Sequence, residues 1–281
     1  MAVKTEETAT SSATAAARAA GRPATGVSIR VPRRRWRPNW VKIFSFLGIL
    51  LLWEGVVRAG QVSPLILPAP LSLLGTMQSM IVSGVLLMHV SISLYRFAVG
   101  FLLGSGLGIL LGLLAGSIRW VGDLIDPWVA ALYPIPKSAL FPLFMMWFGL
   151  GDRSKIVTIF TGVIFLVLVN TVTGVRVINP VLLKAAKDLG ANRLQVFVKV
   201  ILPGSLPNVF TGLRLGAGIG LILLFITEIE ATKAGLGFLL WESYQLMQVK
   251  QGFVAVVTFG VLGVLATWAL QAIERVVCPY R

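Results

Sequence analysis

The stretch that decides the fold is residues 179–203, NPVLLKAAKDLGANRLQVFVKVILP, a basic segment between two long apolar ones. Its pattern predicts two short helices that meet at a glycine. Asn179 can cap the first helix, and Pro180 suits the first turn, where an amide donor is unpaired anyway. Gly190 stands where a helix C-cap needs a left-handed residue. Pro203 is expected to end the second helix.

Each predicted helix has one apolar face. The first carries it at i, i+3, i+4 and i+7, on Leu182, Ala185, Ala186 and Leu189. In the second, Asn192 and Gln195 stand in a capping-box arrangement. Its apolar face is formed by Leu194, Phe197, Val198 and Ile201. From these residues alone, the segment is either an amphipathic connector on a membrane surface or a docking element for a soluble partner.

The whole chain is apolar enough to be an integral membrane protein. Of its 281 residues, 56% are hydrophobic and 13% are charged, and the mean hydropathy is +0.85. Soluble domains of this size are more polar, and several segments here are long enough to cross a bilayer. We predict an all-α polytopic protein with six spans, at residues 43–57, 94–115, 128–148, 156–177, 209–229 and 253–277.

The composition argues against several other classes. The single cysteine, Cys278, permits no internal disulfide and no thiolate metal cluster, so no metal site is expected. The single histidine, His89, is expected to be a loop or interfacial residue rather than a catalytic base. The net charge of +14 is compatible with nucleic-acid binding. However, the basic residues lie mainly in the N-terminal tail and between spans, where membrane topology explains them better, so no nucleic acid is expected as a partner.

The basic residues predict the orientation. Residues 1–40 are rich in Ala, Thr and Ser and then basic, which predicts a disordered cytoplasmic tail before a membrane domain at residues 41–281. If the N-terminus is inside, both termini and the 179–203 segment are cytoplasmic. Besides the tail, the inside segments then hold Arg119, Arg176, Lys184, Lys187, Arg193, Lys199, Arg275 and Arg281. The outside segments hold only Arg58, Arg153, Lys155, Lys233 and Lys250.

Two predicted spans carry glycine rows with a period of four. The second has Gly100, Gly104, Gly108, Gly112 and Gly116, and the fifth has Gly212, Gly216 and Gly220, with Gly218 in addition. Such rows line one helix face and allow close approach between helices, so we interpret them as packing surfaces. They are not nucleotide-binding loops, because no G-x-x-x-x-G-K-[ST] motif occurs. This chain is therefore not expected to bind ATP.

Prolines interrupt the third span at Pro134, Pro136 and Pro142. Irregular backbone at membrane depth is tolerated where it is buried or lines a water-filled cavity. Lys137 lies in the break, where an ionisable residue costs ~2.5–3.5 kcal/mol on insertion scales and is rarely idle. It either faces a translocation path or snorkels or pairs within the bundle.

Other ionisable residues lie near span ends. Arg214 is expected to snorkel at the inner end of the fifth span. Glu228 and Glu230 close that span on the outer side, where water or a partner can satisfy them. Asp123 and Asp126 are placed similarly at the inner end of the third span.

The 179–203 segment resembles the EAA loop of ABC importer permeases. The family pattern is E-A-A, three residues, G, nine residues and I-x-L-P; the residues that match are Ala185, Ala186, Gly190, Leu202 and Pro203. Val200 stands in for the isoleucine, and Lys184 replaces the glutamate, which reverses a charge. The runs SPLILPAP, SLYRFAVGFLLG, DPWVAALYPIPKSALFPLFMMWFGLGDRSKI and TGLRLGAGIG are similar to those of the sulfonate, taurine and nitrate branch.

The resemblance implies a type I importer permease fold with a cytoplasmic coupling helix held in a cleft of an ATPase subunit. The coupling residues would be Lys184, Ala185, Ala186, Asp188, Gly190, Leu202 and Pro203, and the candidate translocation path Pro134, Pro136 and Lys137. The implied assembly is an inner-membrane homodimer in lipid, with two ATPases that hold ATP and Mg and an external substrate-binding protein. The implied substrate is a small oxyanion such as a sulfonate, taurine or nitrate; bicarbonate, an aromatic acid or a vitamin precursor are alternatives.

Three rival functions are disfavoured by the residues. An ion-coupled secondary transporter needs an intramembrane acidic relay, and no predicted span centre holds Asp or Glu. An intramembrane enzyme needs a constellation such as H-E-x-x-H, paired aspartates or Ser/His, and none supports it here. A pure scaffold is disfavoured by the broken third span and the structured 179–203 segment. We therefore expect a non-catalytic transport subunit.

Overall fold

The computed structural model describes residues 39–279, and the regular structure in them is entirely helical. The chain divides into two compact units after Gly48, and the bundle lies within the second, Ile49–Arg281. The helices are α1 Asn39–Arg58, α2 Pro70–Val82, α3 Val85–Ser117, α4 Arg119–Leu132, α5 Phe141–Phe148, α6 Asp152–Arg176, α7 Pro180–Asp188, α8 Arg193–Glu230, α9 Leu236–Gln245 and α10 Val249–Val277. The predicted tail, up to residue 38, lies outside the described residues.

Within the described residues, four helices are long and apolar enough to cross a membrane, namely α3, α6, α8 and α10. Helix α4 and the segment Lys137–Phe148 make a fifth candidate when taken as one span, bent by 85° at the predicted break. The first predicted span corresponds to the 20-residue helix α1. The prediction of an all-α polytopic fold is confirmed.

The structure differs from the predicted spans in two places. The second span begins at Val85 instead of residue 94, because Gly84 adopts φ 78° and separates α2 from α3. Helix α9 lies between the fifth and sixth predicted spans, where no helix was predicted, and its Leu236 and Leu239 are buried against α2 and α10. These short helices were missed because their apolar faces match buried partners that are distant in sequence.

We expected Pro203 to end the second helix of the 179–203 segment, but the helix continues through it. A π turn, Phe197–Ile201, continues α8 from Arg193 to Glu230. In this turn the amide of Leu202 donates to the carbonyl of Phe197, five residues back. The wider turn relieves the contact between a proline ring and the preceding turn of the helix. Pro203 then lies in the first turn of the regular segment Leu202–Glu230.

Helix α6 is the central helix, between α3 and α8, and the glycine rows explain the close approach. A Cβ on Gly100, Gly104, Gly108, Gly112 or Gly116 would lie 2.6–2.9 Å from atoms of α6. On the other side of α6, a Cβ on Gly212 would lie 2.9 Å from the Cβ of Asn170. A Cβ on Gly218 would meet no atom within 4 Å, so this glycine is not part of the packing row. The predicted packing role is confirmed for both rows.

Branched apolar side chains fill the space around the central helix. Ile159, Val163 and Val167 of α6 have no exposed surface. They pack with Phe97 of α3 and Ala217 of α8 in one cluster. The core therefore consists of β-branched side chains of α6 held between two glycine-lined helix faces.

Nearby glycines of α3 provide a matched test of this packing. A Cβ at Gly108 would lie 2.8 Å from the carbonyl oxygen of Ile164, whereas one at Gly106 would meet nothing within 4 Å. We expect Gly108→Ala to lower the stability of the detergent-purified chain by about 1–3 kcal/mol, because backbone cannot move aside easily. Gly106→Ala should leave the melting temperature unchanged or slightly raised. Equal melting temperatures for the two variants would contradict this account of the helix contact.

Candidate functional site

The 179–203 segment has the local structure that its sequence predicts. The Oδ1 atom of Asn179 accepts a hydrogen bond from the amide of Val181 at 2.9 Å and caps α7. Gly190 follows α7 with φ 80°, in the left-handed region. Asn192 and Gln195 form both hydrogen bonds of a capping box, at 2.8 and 2.9 Å. The turn between α7 and α8 is thus fixed by contacts within a few residues.

Helix α7 has no buried residue. Its apolar side chains are exposed, with Leu182 at 57% and Leu189, just beyond its end, at 88%. The predicted apolar face of the second helix was wrong in part, since Leu194 and Val198 are exposed and Val196 is the buried residue. A run of exposed apolar residues on a short, well-capped helix is typical of a surface that binds a partner.

The predicted coupling residues fall into two groups. The first group lies on α7 and in the cap that follows it: Ala186 is half-buried, and the exposed residues are Lys184, Ala185, Asp188 and Gly190. Leu202 and Pro203 lie beyond the π turn and are half-buried. The first group therefore lies on α7 and at the turn that follows it, and the second group lies within α8, directly after the π turn.

The predicted break in the third span is present, between α4 and the 3-10 turn Lys137–Leu140. Pro134 and Pro136 lie in it and are exposed, whereas Pro142 lies in the first turn of α5 and breaks nothing. The Nζ atom of Lys137 donates to the carbonyls of Leu132, Tyr133 and Ile135 at 2.5, 3.3 and 2.9 Å. It also lies 4.8 Å from the centroid of the Phe165 ring. The ammonium is thus held within the bundle; a role in the translocation path stays a prediction.

A buried polar network closes the end of the bundle opposite α7. The carboxylate of Glu228 in α8 has no exposed surface and pairs with Nη1 of Arg96 in α3 at 2.8 Å. It accepts further hydrogen bonds from Ser93 Oγ at 2.8 Å and from the amide of Gly237 at 2.9 Å. Glu228 was expected to be satisfied by water or a partner; it is buried under α9, and its partners are residues of this chain. A Cβ at Gly237 would lie 2.7 Å from the Cβ of Glu228.

Arg96 connects this network to two more segments. Its Nε donates to Asp152 of α6 at 2.7 Å, and its Nη1 donates to the carbonyl of Ala234 at 2.7 Å. The Nδ1 atom of His89 accepts from the amide of Gly235 at 3.0 Å. His89 is a buried residue of α3, so its placement in a loop was wrong, whereas its placement at the membrane interface stays a prediction.

Sequence reasoning did not identify Arg96, although a signal was available. Arg96 stands in an apolar run near the start of α3, and Glu228 stands in one near the end of α8. Opposite charges at matching depth are candidates for a pair, because an unpaired charge in a membrane is costly. The same logic applies to Arg214, which does not snorkel as expected but pairs with Glu274 of α10. Arg176 and Asp126 form an exposed pair at 3.0 Å.

The sequence matches the family model described as binding-protein-dependent transport system inner membrane component, over residues 107–277. A relative named for aliphatic sulfonates transport, the permease protein SsuC of Bacillus subtilis, is 35% identical over 255 residues, which cover 90% of this chain and 92% of that protein. The taurine transport system permease protein TauC of Escherichia coli is 31% identical, with 88% and 92% covered. The nitrate import permease protein NrtB of Synechocystis is 29% identical, with 66% and 68% covered.

A solved structure shares the fold. The MetNI methionine ABC transporter, crystallised in inward-facing conformations, contains a chain that aligns with a TM-score of 0.57 and 21% identity. The alignment covers 68% of this chain and 95% of that chain. At this identity the likeness concerns the helical architecture only, and it agrees with the fold predicted from the sequence.

The buried pair can be tested against another acid on the same helix. We expect Glu228→Gln to destabilise the purified chain by about 3–5 kcal/mol, because the Arg96 charge loses its buried partner. Glu230→Gln, at an exposed position two residues on, should change stability by less than about 0.5 kcal/mol. Adding Arg96→Gln to Glu228→Gln should recover part of the loss in thermal-unfolding measurements. A double variant no better than Glu228→Gln alone would argue against the pairing.

Proposed function

The chain belongs to the family of binding-protein-dependent transport system inner membrane components, and on that premise we propose that it forms the translocation pathway for a small oxyanion. It is the multi-pass, non-catalytic permease subunit of an ABC importer, a type of transporter in which a separate chain hydrolyses ATP. Family membership also implies a substrate-binding protein as a partner. The observation that carries the mechanism is helix α7, which is well capped and exposes its apolar side chains.

In this proposal, α7 is the coupling helix and docks in a cleft of the ATPase, which holds ATP and Mg. The contact is formed by Lys184, Ala185, Ala186, Asp188 and Gly190. Leu202 and Pro203 support it from α8, directly after the π turn. Helix α8 has 38 residues and is therefore about 57 Å long. It runs from the coupling segment to the buried network around Glu228. A displacement of α7 is thus transmitted along one continuous helix to the opposite end of the bundle.

We place the pathway between two copies of the chain. One face of α8 packs on the central helix, but Leu215 and Ile222 on another face are 50% and 55% exposed. A Cβ on Gly218, between them, would meet no atom within 4 Å. The exposed face of α8 around Gly218 is therefore available for a second copy of the chain. This supports a homodimer in which two α8 helices border the pathway and membrane lipid surrounds the assembly.

The proline break is the second element that we assign to the pathway. Pro134 and Pro136 are exposed in the break, as irregular backbone beside a water-filled path would be. Three carbonyls fix the ammonium of Lys137 in position. A positive charge held in place beside the path would favour passage of an anion over that of a cation.

The proposed substrate class comes from the names of the relatives. Sulfonates, taurine and nitrate share a compact anionic group with several oxygen acceptors. Bicarbonate, an aromatic acid or a vitamin precursor would fit the same permease role, because in such importers the external binding protein contributes much of the selection. An ion-coupled secondary transporter is less well supported, since Glu228 is engaged by Arg96 instead of being available to a proton relay.

We further propose that both termini and residues 179–203 are cytoplasmic. In this arrangement residues 1–40 form a basic tail and residues 41–281 form the transmembrane domain. The support is the excess of Lys and Arg on the side of α7, where Arg119 and Arg193 are exposed. The ATPase would then reach α7 directly.

The coupling assignment can be tested at Gly190, where two substitutions differ by charge. Gly190 has φ 80°, and a Cβ added there would meet no atom within 4 Å. Asp and Asn both tolerate left-handed backbone, so their backbone effects should be similar. We expect Gly190→Asp to reduce substrate uptake and substrate-stimulated ATP hydrolysis by more than about tenfold, while Gly190→Asn retains most of both. Normal coupling and uptake in Gly190→Asp would remove α7 from the ATPase contact.

The substrate class can be tested by growth. Deletion of the gene should prevent growth with taurine or an alkanesulfonate as the only sulfur source and leave growth on sulfate unchanged. Restoring the gene on a plasmid should restore growth on the sulfonate. Normal growth on both sulfur sources would contradict the sulfonate proposal, and the same strain would then be tested with nitrate as the only nitrogen source.

A further inference from the structure

A cleft lies beside the coupling helix. Its volume is about 1260 Å³, and it is bordered by the end of α3, the start of α4, α7 and the first turns of α8. Leu183 and Lys187 contribute from α7. These two residues are four apart and lie on a different stripe of α7 from the exposed Leu182 and Leu189. The coupling face and the cleft face of α7 are therefore separate.

The cleft carries charge of one sign. Its lining includes Arg119, Lys187 and Arg193 and contains no Asp or Glu. Within residues 39–279, none of these three takes part in any of the five ion pairs, whose basic members are Arg58, Arg96, Arg176 and Arg214. Three cations converge on this space without an acidic partner in the described part of the chain.

The remaining lining is apolar and aromatic. Leu114, Ile118, Phe197 and Ile201 line it from the ends of the long helices, and Trp120, which is 69% exposed, stands beside Arg119. Tryptophan is enriched at the level of lipid headgroups. Basic pockets between membrane helices on the cytoplasmic side bind anionic headgroups. The lining thus combines cations for a phosphate with a surface for hydrocarbon.

We propose that this cleft binds one anionic phospholipid. Its phosphate contacts the three cations, and its glycerol and upper acyl carbons lie along the apolar residues. This rests on the proposed placement of α7 at the cytoplasmic membrane surface. The chain's own N-terminal tail is a poor occupant, because it carries the same sign of charge, with Arg33, Arg34 and Arg35 close together. A bound lipid would fill the space between the junction of α3 and α4 and residues 179–203.

The test is native mass spectrometry of the detergent-purified, full-length chain. It is titrated with phosphatidylglycerol or with phosphatidylethanolamine of the same acyl chains. We expect one retained phosphatidylglycerol per chain and no equivalent retention of phosphatidylethanolamine. Each of Arg119→Gln, Lys187→Gln and Arg193→Gln should weaken binding about fivefold, and the triple variant by more than about 100-fold. Lys199→Gln is the matched control, since Lys199 is exposed in the same segment but does not line the cleft.

A second variant keeps the charges and fills the space. Ala191 lines the cleft, and Ala191→Trp should reduce lipid retention with all three cations in place. Melting temperatures equal to that of the parent chain show that the variants are folded. Equal retention of both lipids, or full retention by the triple variant, would overturn the proposal. If glycerol phosphate alone saturated the cleft at the same concentration, the proposal of a lipid would be wrong, and the cleft would be a site for free phosphate compounds.

Two outcomes separate this site from the rest of the assembly. If the triple variant keeps its lipid but no longer binds the ATPase, the cleft is an ATPase contact and the proposal is wrong. Lipid retention requires no transport, so it is independent of the sulfur-source experiment. A chain that retains phosphatidylglycerol but supports no oxyanion uptake would contradict the proposed function and leave the lipid site in place.

Discussion

The buried ion pair between Arg96 and Glu228 is the constraint on which the half of the bundle opposite α7 depends. Both charges are withdrawn from water, so each must find its partners within the protein. Arg96 contacts α6 through Asp152 and the loop before α9 through Ala234, while Glu228 receives Ser93 and the amide of Gly237. Helices α3, α6, α8 and α9 and the loop before α9 are therefore fixed relative to one another at a single point. Because Arg96, Ser93 and Gly237 all donate hydrogen bonds to its carboxylate, the fully buried Glu228 is tolerated in an otherwise apolar helix.

The glycine rows and the ion pair have different roles. Between helices in a bilayer, apolar side chains gain little from leaving lipid, so association relies on close packing and on polar contacts. The row from Gly100 to Gly116 brings α3 against α6 over most of its length, but a regular row alone tolerates a shift of one turn. The hydrogen bond from Arg96 to Asp152, at 2.7 Å, opposes such a shift, because moving α3 by one turn along α6 would break it.

The sequence was informative where contacts are local. The caps at Asn179 and Gln195 and the left-handed Gly190 join residues within a few positions, so their pattern predicted the local geometry of residues 179–203. The pairing of Arg96 with Glu228 spans 132 positions and depends on which helices are neighbours. The prediction that Pro203 ends a helix was wrong for a related reason. The π turn before it accommodates the proline, and no single residue type in the sequence indicates such a turn. For Lys137, the break was predictable from the prolines, but the three carbonyls that hold its ammonium were not.

The two ends of the bundle are built in opposite ways, and the contrast bears on mechanism. At the end around Glu228, polar groups are buried and mutually satisfied, so movement there must break several contacts together. At the end formed by α7, no residue of that helix is buried, and the turn that joins it to α8 is held by Gly190 and a capping box. In the mechanism proposed above, a displacement of α7 would act on α8 first, because no residue of α7 is buried in the bundle. Helix α8 is continuous through the π turn, so the displacement would be carried along it to Glu228, where the contacts with Arg96 and Gly237 oppose movement.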